Sequence, residues 1–155
     1  MDLARNLKIE SVSRLNLNPP LQVGPKQTVA EVVTLMRQEK VGCLLVCQGG
    51  KVVGIFTERD LMKRVLARGK PLTLPVDQFM TQNPIVVHPK EPIACAVRRM
   101  EVGGYRHLPV VDDRGNAVGV LSVKQIVQYL ADHYPASIYN LPPKPGEVPQ
   151  QREGA

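Results

Sequence analysis

Two stretches of this chain, Leu21 to Leu61 and Ile85 to Ile126, spell the same order of elements, and that duplication constrains the fold more than any other feature. In the first, a short strand leads to Pro25-Lys26-Gln27-Thr28-Val29-Ala30, which opens a helix reaching Met36. Two apolar strands, Cys43–Cys47 and Val52–Phe56, follow around Gly49-Gly50, and a second helix begins after Gly54-Ile55-Phe56-Thr57. In the second, Pro89-Lys90-Glu91-Pro92-Ile93-Ala94 opens a helix through Met100, strands Leu108–Val111 and Ala117–Leu121 follow, and Gly119-Val120-Leu121-Ser122 precedes the last helix. Pro20/Pro84, Pro25/Pro89, Lys26/Lys90, Ala30/Ala94, Met36/Met100 and Gly54/Gly119 are matched identities. A unit of this size cannot bury its apolar faces alone and stacks on its copy. The expected result is a pseudo-twofold pair with two equivalent clefts between the halves.

The sequence divides into a lead-in (1–18), a first repeat (19–70), a connector with the second repeat (71–134) and a proline-rich tail (135–155) expected to be flexible. Ile9, Val12 and Leu15 give the lead-in an apolar side. Val76–Met80 enters the second repeat as Ser11–Leu15 enters the first. Thr28 to Glu31 reads as a capping box, and Pro92 stands at the corresponding position of the second repeat. The tail, Leu141 to Pro149, contains four prolines and forms neither helix nor central strand.

At 155 residues, with 43% hydrophobic and 22% charged residues, the chain suits one globular unit or two half-domains sharing a core. With two Phe and no Trp, Val, Leu and Ile must fill that core. No run approaches the ~20 apolar residues of a membrane span, and no secretory signal opens the chain, so a cytoplasmic protein is expected. The net charge of +6 includes Lys63, Arg64, Arg68, Lys70, Arg98 and Arg99, read as solvated helix faces without aromatic stacking partners. That pattern disfavours nucleic-acid binding and suits an anionic small molecule. Cys43, Cys47 and Cys95 form no even disulfide framework. Cys43 and Cys47 share a strand face beyond bridging distance and read as buried apolar residues, with no metal site.

The sharpest local signal is Gly54-Ile55-Phe56-Thr57-Glu58-Arg59-Asp60. Thr57 as N-cap with Asp60 three residues on is a capping-box arrangement, and Ser122 with Gln125 satisfies the same rule. A helix N-terminus also offers free N–H groups and a positive dipole end to a phosphate. The Thr57 hydroxyl adds a donor, and a carboxylate at Asp60 can accept both hydrogens of a ribose diol. The duplication places Ile85-Val86-Val87 and Tyr105-Arg106-His107-Leu108-Pro109 near the opposite wall. No Cys/His pair, Ser-His-Asp set or paired carboxylates emerge, so no catalytic residue is assigned and the chain reads as a non-enzyme.

In these motifs, in Arg106-His107-Leu108-Pro109-Val110-Val111-Asp112 and in the repeated Met80…Asn83-Pro84…Val87…Pro89 entry, the chain resembles a tandem pair of cystathionine-β-synthase (CBS) domains, or Bateman module, over roughly residues 8–133. The resemblance implies an α/β (α+β) fold of two β-α-β-β-α repeats packed sheet to sheet. It implies an adenosine nucleotide (AMP, ADP or ATP) as regulatory ligand, with NAD(H) or S-adenosylmethionine as alternatives, and no required cofactor. Thr57 would contact phosphate and Asp60 the ribose, with Arg106 and His107 approaching the phosphates. Ile85, Val86 and Val87 would frame the base, and Arg59 would add positive charge.

A second site, at Gln22, Val23, Ser122 and Gln125, departs from the pattern. Gln125 replaces the ribose-binding Asp, and Val41-Gly42 stand in place of Arg106-His107, so this cleft is expected to be weak or empty. The family also implies a homodimer through the second-helix faces (Leu61, Val65, Leu66; Ile126, Val127, Leu130) and a regulated protein partner that the sequence does not identify. The competing reading is an interaction module whose ligand site has decayed.

Overall fold

The computed structural model describes residues 3–134; the proline-rich segment 135–155 lies outside them. The helices of the two repeats start where a polar residue or proline leaves extended backbone. Thr28 accepts from the Glu31 N–H at 3.2 Å and opens α2 (Val29–Glu39), while Pro92 is the N-cap of α4 (Ile93–Gly103). Apolar side chains on one face of each (Val29, Val32 and Met36; Ile93, Ala96 and Met100) are buried against the strands. Both helices end in a left-handed residue, Lys40 (φ 53°) and Gly104 (φ 69°), which turns the chain back into a strand.

Strand β1 (Gln22–Val23) runs parallel to β2 (Cys43–Gln48), which pairs antiparallel with β3 (Lys51–Thr57); β3 in turn pairs with β4 (Thr81–Gln82). In the second half β5 (His107–Val111) pairs with β6 (Ala117–Ser122). The expected strand at Ile85-Val86-Val87 is reduced to a single parallel bridge from Val87 to Val110. The remaining helices are α1 (Leu3–Ile9), α3 (Glu58–Asp60), which continues as a π-helical segment Leu61–Leu66, and α5 (Val123–His133). The fold is the expected mixed α/β pair of repeats.

The core has three parts. Leu44, Val46 and Phe56 face α2 in the first half, and Leu108, Val110 and Leu121 face α4 and α5 in the second. Between the sheets lie Cys43, Leu45, Cys47, Ile55 and Val120. Strand β2 is therefore covered on both faces, which its unbroken apolar run reflects. Burial, reinforced by Glu58, pushes the Cys43 thiol up to about 12.

Each half is completed by the segment that precedes the other. Val12 and Leu15 belong to the second-half core, where Val12 N–H donates to the Glu91 carbonyl at 2.8 Å and Ile93 N–H to the Glu10 carbonyl at 2.9 Å. Val76, Phe79 and Met80 belong to the first-half core, where Val76 N–H donates to the Gln27 carbonyl at 2.8 Å. The matched glycines explain how these segments cross. A Cβ on Gly54 would run into the Met80 sulfur, and one on Gly119 would lie 3.1 Å from Leu17.

Two expectations about helix surfaces are corrected. Val65 and Ile126 are buried in their own halves and Leu61 and Leu130 pack partly against the cores, so neither helix offers the full expected dimer face. The exposed apolar residues there are Met62, Leu66, Val123 and Val127. Nor are all the cations simply solvated. Arg64 donates to the Phe79 and Met80 carbonyls (3.2 and 2.9 Å), and Arg99 to the Val86 carbonyl (3.1 Å) while paired with Glu91 at 2.6 Å. A guanidinium presents several fixed donors, so it satisfies carbonyls that the short entry strands leave unpaired.

The exchange of entry segments predicts that Val12→Ala, far in sequence from the core it fills, lowers unfolding free energy by about 1–3 kcal/mol in urea. Asn16→Ala, at an exposed neighbouring position, should change it by less than about 0.5 kcal/mol. Equal effects would show that the lead-in contributes nothing specific to that core.

Candidate functional site

Thr57 closes β3 and caps α3 in a reciprocal arrangement. Its Oγ1 accepts from the Asp60 N–H at 3.2 Å, while Asp60 Oδ2 accepts from the Thr57 N–H at 3.0 Å and from the Thr57 hydroxyl at 3.1 Å. Asp60 Oδ1 lies 3.5 Å from Arg64 Nε. One oxygen of this buried carboxylate is thus committed to the cap, and the other keeps lone pairs for further donors. The π-helical turn that follows, closed by the Ala67 N–H to the Met62 carbonyl at 2.9 Å, carries Arg64. Such widened turns are frequent at functional sites.

A cleft of about 760 Å³ opens beside this cap, between the two repeats. Of the eight residues singled out for it, Thr57, Arg59, Asp60, Ile85, Arg106 and His107 line it. Val86 and Val87 do not. Val87 is fully buried and hydrogen-bonded to the Pro109 and Val111 backbone, and the Val86 carbonyl is taken by Arg99. Tyr105, expected near this wall, lines the cleft, and so do Ile55, Glu58, Met62, Lys63 and Thr81, which the sequence did not single out as site residues. Lys63 stands one turn beyond Asp60, so neighbourhood to the motif was its only signal. The walls offer Arg59, Lys63 and Arg106 as cations against Glu58 and Asp60, with an apolar portion at Ile55, Met62 and Ile85.

His107 is half-buried, and desolvation is the main influence holding its pKa below the ordinary 6.5; Glu58 opposes that shift, while Arg106 and Lys124 add to it. The imidazole is therefore neutral near pH 7 and contributes hydrogen bonding, while the fixed charge on that wall comes from Arg106.

A second cleft, about 1260 Å³, lies across the same wall. Ser122 lines it, but Gln22, Val23 and Gln125 do not: Val23 is in the first-half core, Gln22 is exposed, and Leu21 occupies the lining. Gln125 is committed to the cap, its Oε1 accepting from the Ser122 N–H at 2.7 Å, while its buried Nε2 has no acceptor among the described residues. The strand register also changes one equivalence. Cys43 pairs with Thr57 as His107 pairs with Ser122, and Glu58 donates to the Gly42 carbonyl as Val123 does to Arg106. Gly42-Cys43, rather than Val41-Gly42, therefore stand where Arg106-His107 stand. The cleft does not lack cations, because Arg37, Lys40 and Lys124 reach it from positions outside the repeated motifs.

The model of the CBS domain matches residues 12–67 and again 76–132. This chain belongs to the CBS-domain family. An uncharacterized 17.7 kDa protein of Acidianus ambivalens is 31% identical over 122 residues, which cover 78% of this chain and 73% of that protein. Two other curated relatives are longer, and the chain spans 14% and 63% of them. Among solved structures, the CBS domain protein PAE2072 from Pyrobaculum aerophilum, complexed with AMP, superposes with a TM-score of 0.71 at 28% identity, covering 79% of this chain and 99% of that one. The CBS domain pair of protein MJ0100, in complex with 5′-methylthioadenosine and S-adenosyl-L-methionine, gives 0.72 at 25% identity, over 79% and 97%.

The lowered His107 pKa fixes the sign of a pH effect. The unfolded imidazole takes a proton near 6.5 and the folded one only further down, so this contribution to stability is complete above about pH 6.5 and is lost as pH falls through the folded value. In thermal melts between pH 7.5 and 5, His107→Gln should show a shallower decline than the parent. Parallel declines would assign the pH dependence to other groups.

Proposed function

We propose that this CBS pair is a regulatory ligand-sensing module that binds an adenosine nucleotide, AMP or ATP foremost, in the cleft beside Thr57 and Asp60. The observation that carries the reading is the convergence of Thr57, Asp60 and Arg59 from the first repeat with Ile85, Arg106 and His107 from the second around one cleft. Asp60 Oδ1 is the acceptor for the ribose hydroxyls. Arg106, Arg59 and Lys63 neutralise phosphate, and Ile55, Met62 and Ile85 cover the base. Thr57 contributes its hydroxyl by turning it from Asp60 Oδ2 to the phosphate, while the Thr57 N–H keeps Asp60 in place. The AMP-bound relative from Pyrobaculum aerophilum supports the ligand class.

Because its walls come from both repeats, an occupied cleft favours one relative setting of the halves, and a ligand shifts that setting only by its difference in affinity between the two arrangements. A partner protein reads the resulting surface. Met62 (65% exposed), Leu66 (56%) and Val127 (58%) supply the apolar contact of a homodimer. No helix among the described residues is long and apolar enough to cross a membrane.

Calorimetric titration with AMP, ADP, ATP, NADH and S-adenosylmethionine tests the reading, with saturable binding near one AMP per chain as the expected result. Thr57→Ala/Asp60→Ala should reduce that affinity at least about a hundredfold, the ~3 kcal/mol of two charge-assisted or hydroxyl hydrogen bonds, with an unchanged far-ultraviolet circular dichroism spectrum. Absence of binding to all five ligands would instead favour an interaction module. Sedimentation should give a dimer that Leu66→Asp/Val127→Asp converts to monomer; a monomeric parent protein would refute the interface.

A further inference from the structure

The second cleft has the wrong chemistry for a copy of the first. Arg37 and Lys40 from the end of α2, Lys124 from the start of α5 and Arg106 surround it, and Glu58 is the one acidic residue on its lining. The position that would hold a diol-binding carboxylate is Gln125, which is off the lining and tied to the Ser122 backbone. Four cations against one carboxylate, with no carboxylate at the capping position, favour a chain of phosphates over a nucleoside. The two clefts also share a wall: Gly42, Glu58, Arg106 and His107 line both. Arg106 is exposed and lines both, and His107 is held neutral, so the shared wall carries one full positive charge between two anion positions.

We propose that the second cleft binds a polyphosphate anion, free or as the tail of a nucleoside triphosphate, and that it opposes nucleotide binding in the first cleft by drawing on Arg106. An anion engaging Arg106 from one side draws that charge away from the other, where Glu58 then repels an anion, so each ligand weakens its neighbour, and reciprocally by the same factor. The coupling rests on the nucleotide reading of the first cleft; the polyphosphate site does not.

Inorganic tripolyphosphate is the probe, titrated by calorimetry into the full chain. Binding at one per chain is expected, weakened about tenfold by Arg37→Ala/Lys40→Ala, which removes two exposed charge contacts to phosphate, and unchanged by Asp60→Ala. ATP should bind Asp60→Ala with the affinity of tripolyphosphate, since only the tail is read; much tighter ATP binding would overturn the absence of a nucleoside requirement. In the parent protein, rising tripolyphosphate should raise the apparent Kd of AMP about fivefold and then level off. Arg37→Ala/Lys40→Ala should abolish that rise while leaving the Kd of AMP alone unaltered. A rise proportional to tripolyphosphate without a plateau would place the anion in the AMP cleft and refute the proposal, as would no tripolyphosphate binding, insensitivity to the double substitution, or no shift in AMP affinity. If AMP fails to bind at all, the function proposed above falls, and the titration with tripolyphosphate alone still decides the second cleft.

Discussion

The close crossing of the entry segments over the sheets, at Gly54 and Gly119, is the constraint on which the rest of the molecule depends. Because Met80 passes over Gly54 and Leu17 over Gly119, β4 can pair with β3 and Asn18 can bridge to Val120. These pairings bring Thr81 and Pro84 onto one cleft and Asn18 and Pro19 onto the other. A side chain at either glycine would lift the entry segment off the sheet and open the wall that carries Ile85 or Leu21. The same crossing sends Val76, Phe79 and Met80 into one core and Val12 and Leu15 into the other. Packing of the halves and definition of the clefts are thus a single event.

Structural and binding roles overlap at the cap. Thr57 and Asp60 satisfy each other's backbone and side-chain groups in the same way as Ser122 and Gln125. Capping alone therefore cannot explain the difference between a carboxylate and an amide at the third helical position. The amide in the second half leaves Gln125 Nε2 buried without an acceptor among the described residues, an arrangement that ordinarily costs about 1–3 kcal/mol. The carboxylate in the first half instead has an oxygen to spare, and that oxygen is held by Arg64, which also secures the carbonyls of Phe79 and Met80. One guanidinium so links the acceptor to the strand entering the opposite wall.

The duplication, strands, caps and most of one cleft were legible in the sequence because they depend on local rules: apolar runs, capping residues three apart, and glycine at the end of a strand. The clefts meet where the repeats meet, so six of the eight residues named for the first one line it. What escaped was non-local. Contiguity in sequence gave no sign that Val12 packs with Ile93 or Val76 with Val29. Val87 looks like a base-framing residue until its burial and pairing with Val110 are seen. Comparing repeats by alignment also could not find Arg37, Lys40 and Lys124, which enter the second cleft from positions without a motif, and a one-residue offset hid the equivalence of Cys43 with His107. The family resemblance assigned Val65 and Ile126 to a dimer surface, and nothing in the sequence said that each half's own core covers them.

The exchange of entry segments also sets an order for synthesis. As the chain leaves the ribosome, residues 19–70 form a half that is incomplete until 72–82 follow. Residues 3–18 take their core partners from 87–134, which are made later; the Asn6 amide bonds the Tyr134 hydroxyl at 2.7 Å, across almost the whole described length. Leu7, Val12 and Leu15 must then wait, exposed, until that second half is made. This segment, made before its partners, is the last to find its place, and a chaperone that shields short apolar segments would have most to do in that interval.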